Sequence, residues 1–286
     1  MSSSLTENEK NLVSIIVPTK NSCMFLQNLL ESIIQQSFSS IETIIVDGNS
    51  TDGTIETATK YGAKVVVFDT GVAKGKFDAP HRRNFGARMA LGRFVYYVDA
   101  DMELQPNVIS EAVEVCAAGA VAVVVPEISF GSSMWARAKA LERMSYIGDS
   151  RKEAPRFFVR SVWEDLGGLD ESLGGGGDDW DLYEAVKKKG YLVGRTQSCA
   201  LHNEGDLKLI SLARKRFMYG QDSWRYFKKR PSAAFQSYSP IRIGYFRNWK
   251  RFKNDPNTTC LVLIMRLVEY SAGLAGIIVG LARKSN

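Results

Sequence analysis

The sequence predicts an α/β fold: a doubly wound, mostly parallel sheet followed by a C-terminal helical, membrane-associating extension. Three observations carry this expectation. Over residues 12–101, short apolar runs alternate with segments of helical periodicity. The loops after those runs are rich in Asp, Asn, Thr and Gly. Beyond Lys208 the composition changes, first to interleaved basic and aromatic residues and then to a long apolar segment.

Val13-Ser14-Ile15-Ile16-Val17, stopped by Pro18, reads as the first buried strand. Phe25, Leu26, Leu29, Leu30, Ile33 and Ile34 recur at helical spacing and predict a helix up to about Gln36. Residues 41–46 read as a second strand and 54–61 as a second helix, with Thr51 or Asp52 as its N-cap. Residues 64–68 form a third strand, followed by a Gly- and Lys-containing loop over 71–76, a helix over 83–91 and a fourth strand over 92–98. Such alternation implies right-handed crossovers. Later signals are sparser: an apolar run at 120–125, a helix over 133–144, a strand over 156–160, and a helix from 179 to 189 after the tetraglycine at 174–177.

A chain of 286 residues can hold one large α/β domain with an appendage. Its net charge of +6 is uneven: residues 208–253 contain thirteen Lys or Arg and one acid, Asp222, a local charge of +12. The remainder therefore sums to about −6. A basic tail on such a body points to an anionic surface as partner, membrane or nucleic acid. Cys23, Cys116, Cys199 and Cys260 are scattered without metal-ligand spacing, as expected of free thiols in a reducing compartment. Residues 1–11 are polar, with no apolar core that would direct export.

The chemistry concentrates at the strand ends. Asp99 and Asp101 emerge one residue apart beyond the fourth strand, where ligands bind in open α/β sheets. Two acids on a tight turn can hold a hard divalent cation against a diphosphate, although Asp-x-Asp alone also occurs in ordinary loops. After the first strand comes Pro18-Thr19-Lys20-Asn21, and after the second the turn Asp47-Gly48-Asn49-Ser50-Thr51-Asp52-Gly53-Thr54. A carboxylate such as Asp47 at a strand end can accept hydrogen bonds from a ribose or base.

These stretches, with Arg83-Asn84-Phe85-Gly86-Ala87 and Gly92-Arg93-Phe94-Val95-Tyr96-Tyr97-Val98-Asp99-Ala100-Asp101, resemble the family-2 glycosyltransferases of GT-A fold, over roughly residues 12–205. The resemblance implies that Pro18, Thr19 and Asp47 cradle the nucleoside of a nucleotide sugar, UDP- or GDP-linked. Asn21, Asp52 and Ala100 join that set, and Arg83 faces the diphosphate. Asp99 serves the ribose and the metal shell, Asp101 binds Mn2+ or Mg2+ directly, and Glu103 could complete the shell. In Asp178-Asp179-Trp180-Asp181-Leu182, Asp179 matches the family's catalytic base; Asp178 stands where a Glu is usual, which leaves its role open. Three acids in a first helical turn also complement the helix dipole. His202 matches a His that completes the metal or diphosphate site in many members.

The resemblance divides the chain into a GT-A catalytic domain over 1–206, with a nucleotide-sugar half (12–101) and an acceptor half (102–206), and an extension over 207–286. The extension decides the setting. Its basic residues interleave with eleven aromatics, which suits an anionic membrane interface, and no nucleic-acid motif accompanies them. Residues 258–282 are apolar apart from Arg266 and Glu269 and would make a helix of about 37 Å. Three placements follow: an interfacial or re-entrant helix, a span, or packing on the body. The expected protein is a metal-assisted inverting transferase on the cytoplasmic side of the membrane, peripheral or monotopic, with a lipid-linked or surface-glycan acceptor. The alternatives are transfer onto a polyprenyl phosphate and a nucleotide-sugar binding protein without turnover.

Overall fold

Apolar residues at nearly every position of Val13–Thr19 make this segment, β1, a strand buried on both faces, as a central parallel strand must be. The structure is a computed structural model that describes residues 11–72, 77–173, 177–239 and 243–284. In it β1 pairs in parallel with β2 (Ile41–Asp47) and β4 (Phe94–Tyr97), and β3 (Lys64–Val67) extends the sheet beyond β2. The crossovers are α1 (Cys23–Ile34), α2 (Thr54–Lys60) and α3 (Ala79–Met89). α1 buries Leu26, Leu29, Leu30 and Ile33, the stripe its periodicity predicts. On the other side of β4 the sheet continues through β8 (Phe157–Val159), β6 (Ala122–Val124) and β9 (Val193–Arg195), in the order β3-β2-β1-β4-β8-β6-β9. Only β8 runs antiparallel to its neighbours, so the sheet is mostly parallel, as expected.

Three features differ from the sequence reading. A second sheet, β5 (Met102–Leu104), β10 (Ala200–Asn203) and β7 (Glu127–Phe130), lies beyond the end of β4 and presents Glu127 and His202. Its strands are three or four residues long, too short to display a period. The helices α4 (Val108–Ala117) and α6 (Arg160–Asp165) were likewise not anticipated. Before α2 the capping position falls on Gly53, whose left-handed φ of +86° turns the chain; Asp52 Oδ1 accepts from Thr54 N at 3.2 Å from one position earlier.

α5 (Met134–Met144) starts as expected at Ser133, whose side chain accepts from Ala136 N. α7 (Gly177–Lys188) carries Asp178 and Asp179 in its first turn. The other three glycines of the tetraglycine lie outside the described residues, as do residues 73–76 of the preceding loop and residues 1–10.

The C-terminal extension folds as α8 (Leu209–Lys229), α9 (Pro231–Tyr238), α10 (Ile243–Arg247), α11 (Trp249–Asn254) and α12 (Pro256–Lys284). α12 lies along α8 at glycines: a Cβ at Gly276 would collide with Phe217 O, and one at Gly280 with Gln221 O. Val262 and Met265 of α12 pack with Leu212 of α8 and with Ala138 and Leu141 of α5. Arg266 and Glu269 are buried in the same interface and meet protein charges there. The opposite face of α12 exposes Leu263, Leu267, Leu274, Ile278 and Leu281. Of the three placements, packing on the body describes one face of α12, and an apolar exposed face remains.

Candidate active site

The turns at the ends of β1 and β2 are bound to each other. Thr19 and Asp47 are register partners, and Thr19 Oγ1 donates to Asp47 Oδ2 at 2.7 Å. Ser50 donates its amide to Asp47 Oδ1 at 2.7 Å and its hydroxyl to Oδ2 at 2.6 Å. Asn21, at φ +50°, accepts from Thr51 N, and Asp52 Oδ2 accepts from Cys23 N. Asp47 is completely buried, and both its oxygens accept from the residues of these turns. Pro18, Thr19 and Lys20 line the adjoining cavity; Asn21, Asp47, Asp52 and Ala100 do not, and Ala100 packs in the core.

Arg83, on α3, is the hub of the site. Its guanidinium donates to Asp99 Oδ1 at 2.6 Å and lies 3.4 Å from Asp178 Oδ2 and 3.3 Å from Asp179 Oδ1. A second guanidinium, Arg156, stands 3.1 Å from Asp99 Oδ2, 3.2 Å from Glu127 Oε1 and 3.5 Å from Asp179 Oδ2. Burial would raise the Asp99 carboxyl, but these two cations hold it far below the usual range. Both Asp99 oxygens thus engage arginines, and Asp99 lines the cavity.

Asp179 is the more open member of the α7 pair, and Tyr97 OH lies 2.9 Å from its Oδ1. Asp178, behind it, is fully buried; burial and the Asp179 charge push its carboxyl up to about 7, against the pull of Arg83. The Asp178 carboxyl can therefore hold or release a proton near neutrality.

Lining the same cavity, His202 Nε2 on β10 stands 3.2 Å from Asp101 Oδ2. Arg143 lies 2.9 Å from His202 Nδ1 and also pairs with Glu127. Burial and Arg143 lower the imidazole, but hydrogen bonds to Asp101 and Glu127 outweigh them and push it up to about 9. Among the described residues no three His, Cys, Asp or Glu side chains converge as a ready-made metal centre. The donors that fit a cation are Asp101 Oδ1, buried without a partner, and His202 Nε2 beside it once the imidazole gives up its proton to make room for the ion. One carboxylate and one imidazole suit an ion that takes its other ligands from phosphate and water. Glu103 does not join them; it accepts from Asn28 Nδ2 at 3.0 Å, away from the cavity wall.

Sequence reasoning missed Arg156, Tyr97 and Arg82. Arg156 precedes the apolar β8, and a cation at the mouth of a buried strand was the available signal. Arg82 adjoins Arg83 in sequence and is clamped to Asp78 at 3.0 and 2.5 Å, in space that a Cβ at Gly48 would fill. The cavity measures about 930 Å³; the strand ends form one wall, and α5, α8, α9 and α12 form the other.

A profile described as Glycosyl transferase family 2 matches residues 14–172. An uncharacterized glycosyltransferase of Escherichia coli, YibD, is 34% identical over 100 residues, 35% of this chain and 29% of that protein. The poly(ribitol-phosphate) beta-N-acetylglucosaminyltransferase TarS of Staphylococcus aureus is 32% identical over 101 residues, 35% of this chain and 18% of that protein. The chain thus aligns with less than a third of the length of either relative. Among solved structures, the mannosyltransferase PcManGT from Pyrobaculum calidifontis, in complex with GDP-Man and Mn2+, superposes with a TM-score of 0.62 at 17% identity, covering 93% of this chain and 86% of that one.

Proposed function

The chain belongs to glycosyl transferase family 2, and we propose that it moves a sugar from a UDP- or GDP-linked donor to an acceptor hydroxyl, with inversion and with Asp179 as general base. The observation that carries this reading is that Asp179, Asp101 and His202 line a single cavity together with Arg83 and Arg156, both of which contact Asp179. In direct displacement the acceptor oxygen attacks the anomeric carbon as the bond to the diphosphate breaks, and the hydroxyl proton passes to the Asp179 carboxylate. Tyr97 orients that carboxylate through Oδ1 and leaves Oδ2 toward Arg156. Arg83 and Arg156 hold the acids in place and supply positive charge beside the departing diphosphate.

Asp101 and His202 would hold the divalent cation, Mn2+ or Mg2+, which when bound neutralises charge on the diphosphate. The presence of Mn2+ and GDP-Man in the similarly folded mannosyltransferase supports this assignment. Asp99 then acts as an anchor for Arg83 and Arg156. Thr19 and Lys20 remain as nucleotide contacts, with Asp47, Asn21 and Asp52 acting through the turn they brace. On this reading residues 12–101 seat the donor, 102–206 supply the base and second sheet, and 207–286 roof the acceptor side. A hydroxyl acceptor is favoured over a polyprenyl phosphate, because an attacking phosphate would approach a carboxylate pair.

The setting we infer is the cytoplasmic side of a membrane, with peripheral or monotopic attachment through the exposed face of α12 and the basic extension. Four free cysteines accord with that side. The acceptor would then be lipid-linked or part of a surface glycan. Asp101→Ala tests the donor end. Wild-type protein should gain thermal stability from UDP or GDP only with Mn2+ present, and the variant should lose that gain while keeping its own melting temperature. Unchanged Mn2+ dependence in the variant would refute the assignment.

A further inference from the structure

We propose that Lys229 and Arg230, where α8 meets α9, are positioning residues for Asp179. By holding Asp181 they fix the rotation of α7 that turns the base toward the cavity. This rests on the reading of Asp179 as general base; the contacts that carry it lie on the far side of α7.

Asp179 and Asp181 stand two residues apart in the opening turns of α7. At about 100° per residue they point about 160° apart around the helix. Asp178, Asp179 and Trp180 line the cavity, and Asp181 does not, although it too is buried. Its Oδ1 accepts from Arg230 Nε and its Oδ2 from Lys229 Nζ, both at 2.7 Å. Neither cation lines the cavity, so what they do for the reaction passes through α7.

The corner that carries them is itself fixed. Arg230 departs from helical backbone, at φ −138° and ψ 68°, because Pro231 follows and disfavours the helical region. Its amide donates to Tyr226 O in α8 and its carbonyl accepts from Ala234 N in α9, each at 2.8 Å. Lys229 Nζ also donates to Asp170 Oδ2 at 2.6 Å, and Arg225 donates to the Ser172 carbonyl at 3.1 Å. Residues that flank the tetraglycine in sequence are thus bound to the end of α8. Apolar contacts repeat the connection. Trp180, next to Asp179, meets Tyr238 edge-on at 5.6 Å between ring centres and Tyr226 at 6.2 Å. Leu173 packs with Tyr226 and Ala234.

Helix capping alone does not account for this arrangement. An acid that caps a helix or complements its dipole acts on the backbone N–H groups of that helix. Asp181 instead takes two cations from another element, one of them on a backbone bonded to both α8 and α9. On the cavity side Arg83, Arg156 and Tyr97 hold the tip of the Asp179 side chain. The Asp181 contacts hold the helix that bears it. A displacement of about 1 Å at a reacting group can lower a rate about a hundredfold, so a roll of α7 would matter.

The test combines hydrogen exchange and turnover on the full chain. Arg230→Met should speed amide exchange over residues 177–188 about tenfold and leave β1 and β4 unchanged. At saturating UDP- or GDP-sugar, with Mn2+ and extracts of membrane lipids and surface glycans, its nucleoside diphosphate release should fall about tenfold to a hundredfold. Asp181→Asn breaks the same contact from the other side and should change both readouts in the same direction. Binding of UDP or GDP with Mn2+ should stay within about twofold of wild type, and Arg230→Lys should restore most of the rate. In an Asp179→Asn background, Arg230→Met should lower release less than about threefold further, because the group it positions is gone. The same loss in both backgrounds, or a matching loss of nucleotide binding, would mean a merely structural link and overturn the proposal. Release at the wild-type rate by Arg230→Met and Asp181→Asn would overturn it too. Absence of release from wild type with every donor would instead refute the transferase reading, while exchange in α7 would still show whether the corner holds the helix.

Discussion

Asp178 shows how a single residue can be set against its surroundings. It is fully buried beside another carboxylate, and its pKa is pushed up to about 7. In the unfolded chain an Asp titrates near 3.9. A carboxyl raised on folding costs nothing while protonated in both states, below that value. The cost grows as pH rises from about 4 to 7 and is complete above. Asp178→Asn should therefore melt at nearly the wild-type temperature at pH 4 and about 2 °C or more above it at pH 8. A difference that stays flat across this range would contradict the raised pKa. Arg83 and Asp179 show the complementary case, in which charges are matched by neighbours: the one guanidinium touches Asp99, Asp178 and Asp179.

Among elements, the interface of α5, α8 and α12 is held by three means: apolar packing around Met265, close approach at Gly276 and Gly280, and the buried charges around Glu269. Burial would raise the Glu269 carboxyl, but Lys139 and Arg216 hold it well below the ordinary range. Glu269→Ala strands Lys139, Arg216 and Arg266 against Glu142 alone. We expect a loss of about 3–5 kcal/mol in urea unfolding, whereas a loss under 1 kcal/mol would mean the cluster is solvated. Elements of this kind mark the border of what the sequence made legible. β1, β2 and β4 announce themselves because central parallel strands are apolar on both faces, and α1 because its stripe repeats. The second sheet does not, since Met102–Leu104 and Ala200–Asn203 are too short for a period. Asp101, His202 and Asp179 could be singled out by residue type and family resemblance. Arg156, at the mouth of β8, and Tyr97, inside an apolar run, read as parts of strands until the fold brings Asp179 to them. Asp47 was singled out by its place at the end of the second strand, and what the sequence did not display is that its oxygens accept from Thr19 and Ser50.

At the scale of the whole molecule, the extension packs on the body with one face of α12 and leaves the other exposed, the face proposed to meet a membrane. α12 buries Val262 and Met265 against the body and turns Leu267, Leu274 and Ile278 outward, so removing it would uncover core. Surface substitutions are the cleaner probe. Leu267→Glu with Ile278→Glu should leave the melting temperature nearly unchanged and markedly reduce flotation with anionic vesicles. Wild-type binding should survive salt that screens the basic residues, since those contribute only about 1 kcal/mol each near an anionic surface. A double variant that floats like wild type would contradict attachment through α12.

The central claim concerns turnover at Asp179. Nucleoside diphosphate release should be followed with a panel of UDP- and GDP-sugars, Mn2+ and extracts of membrane lipids and surface glycans, for wild type and Asp179→Asn. The account expects wild-type release that the extract stimulates with at least one donor. In the variant it should fall by about two to four orders of magnitude, with binding of that donor nearly unchanged. Release by Asp179→Asn at the wild-type rate, or donor binding without release in wild type, would contradict it.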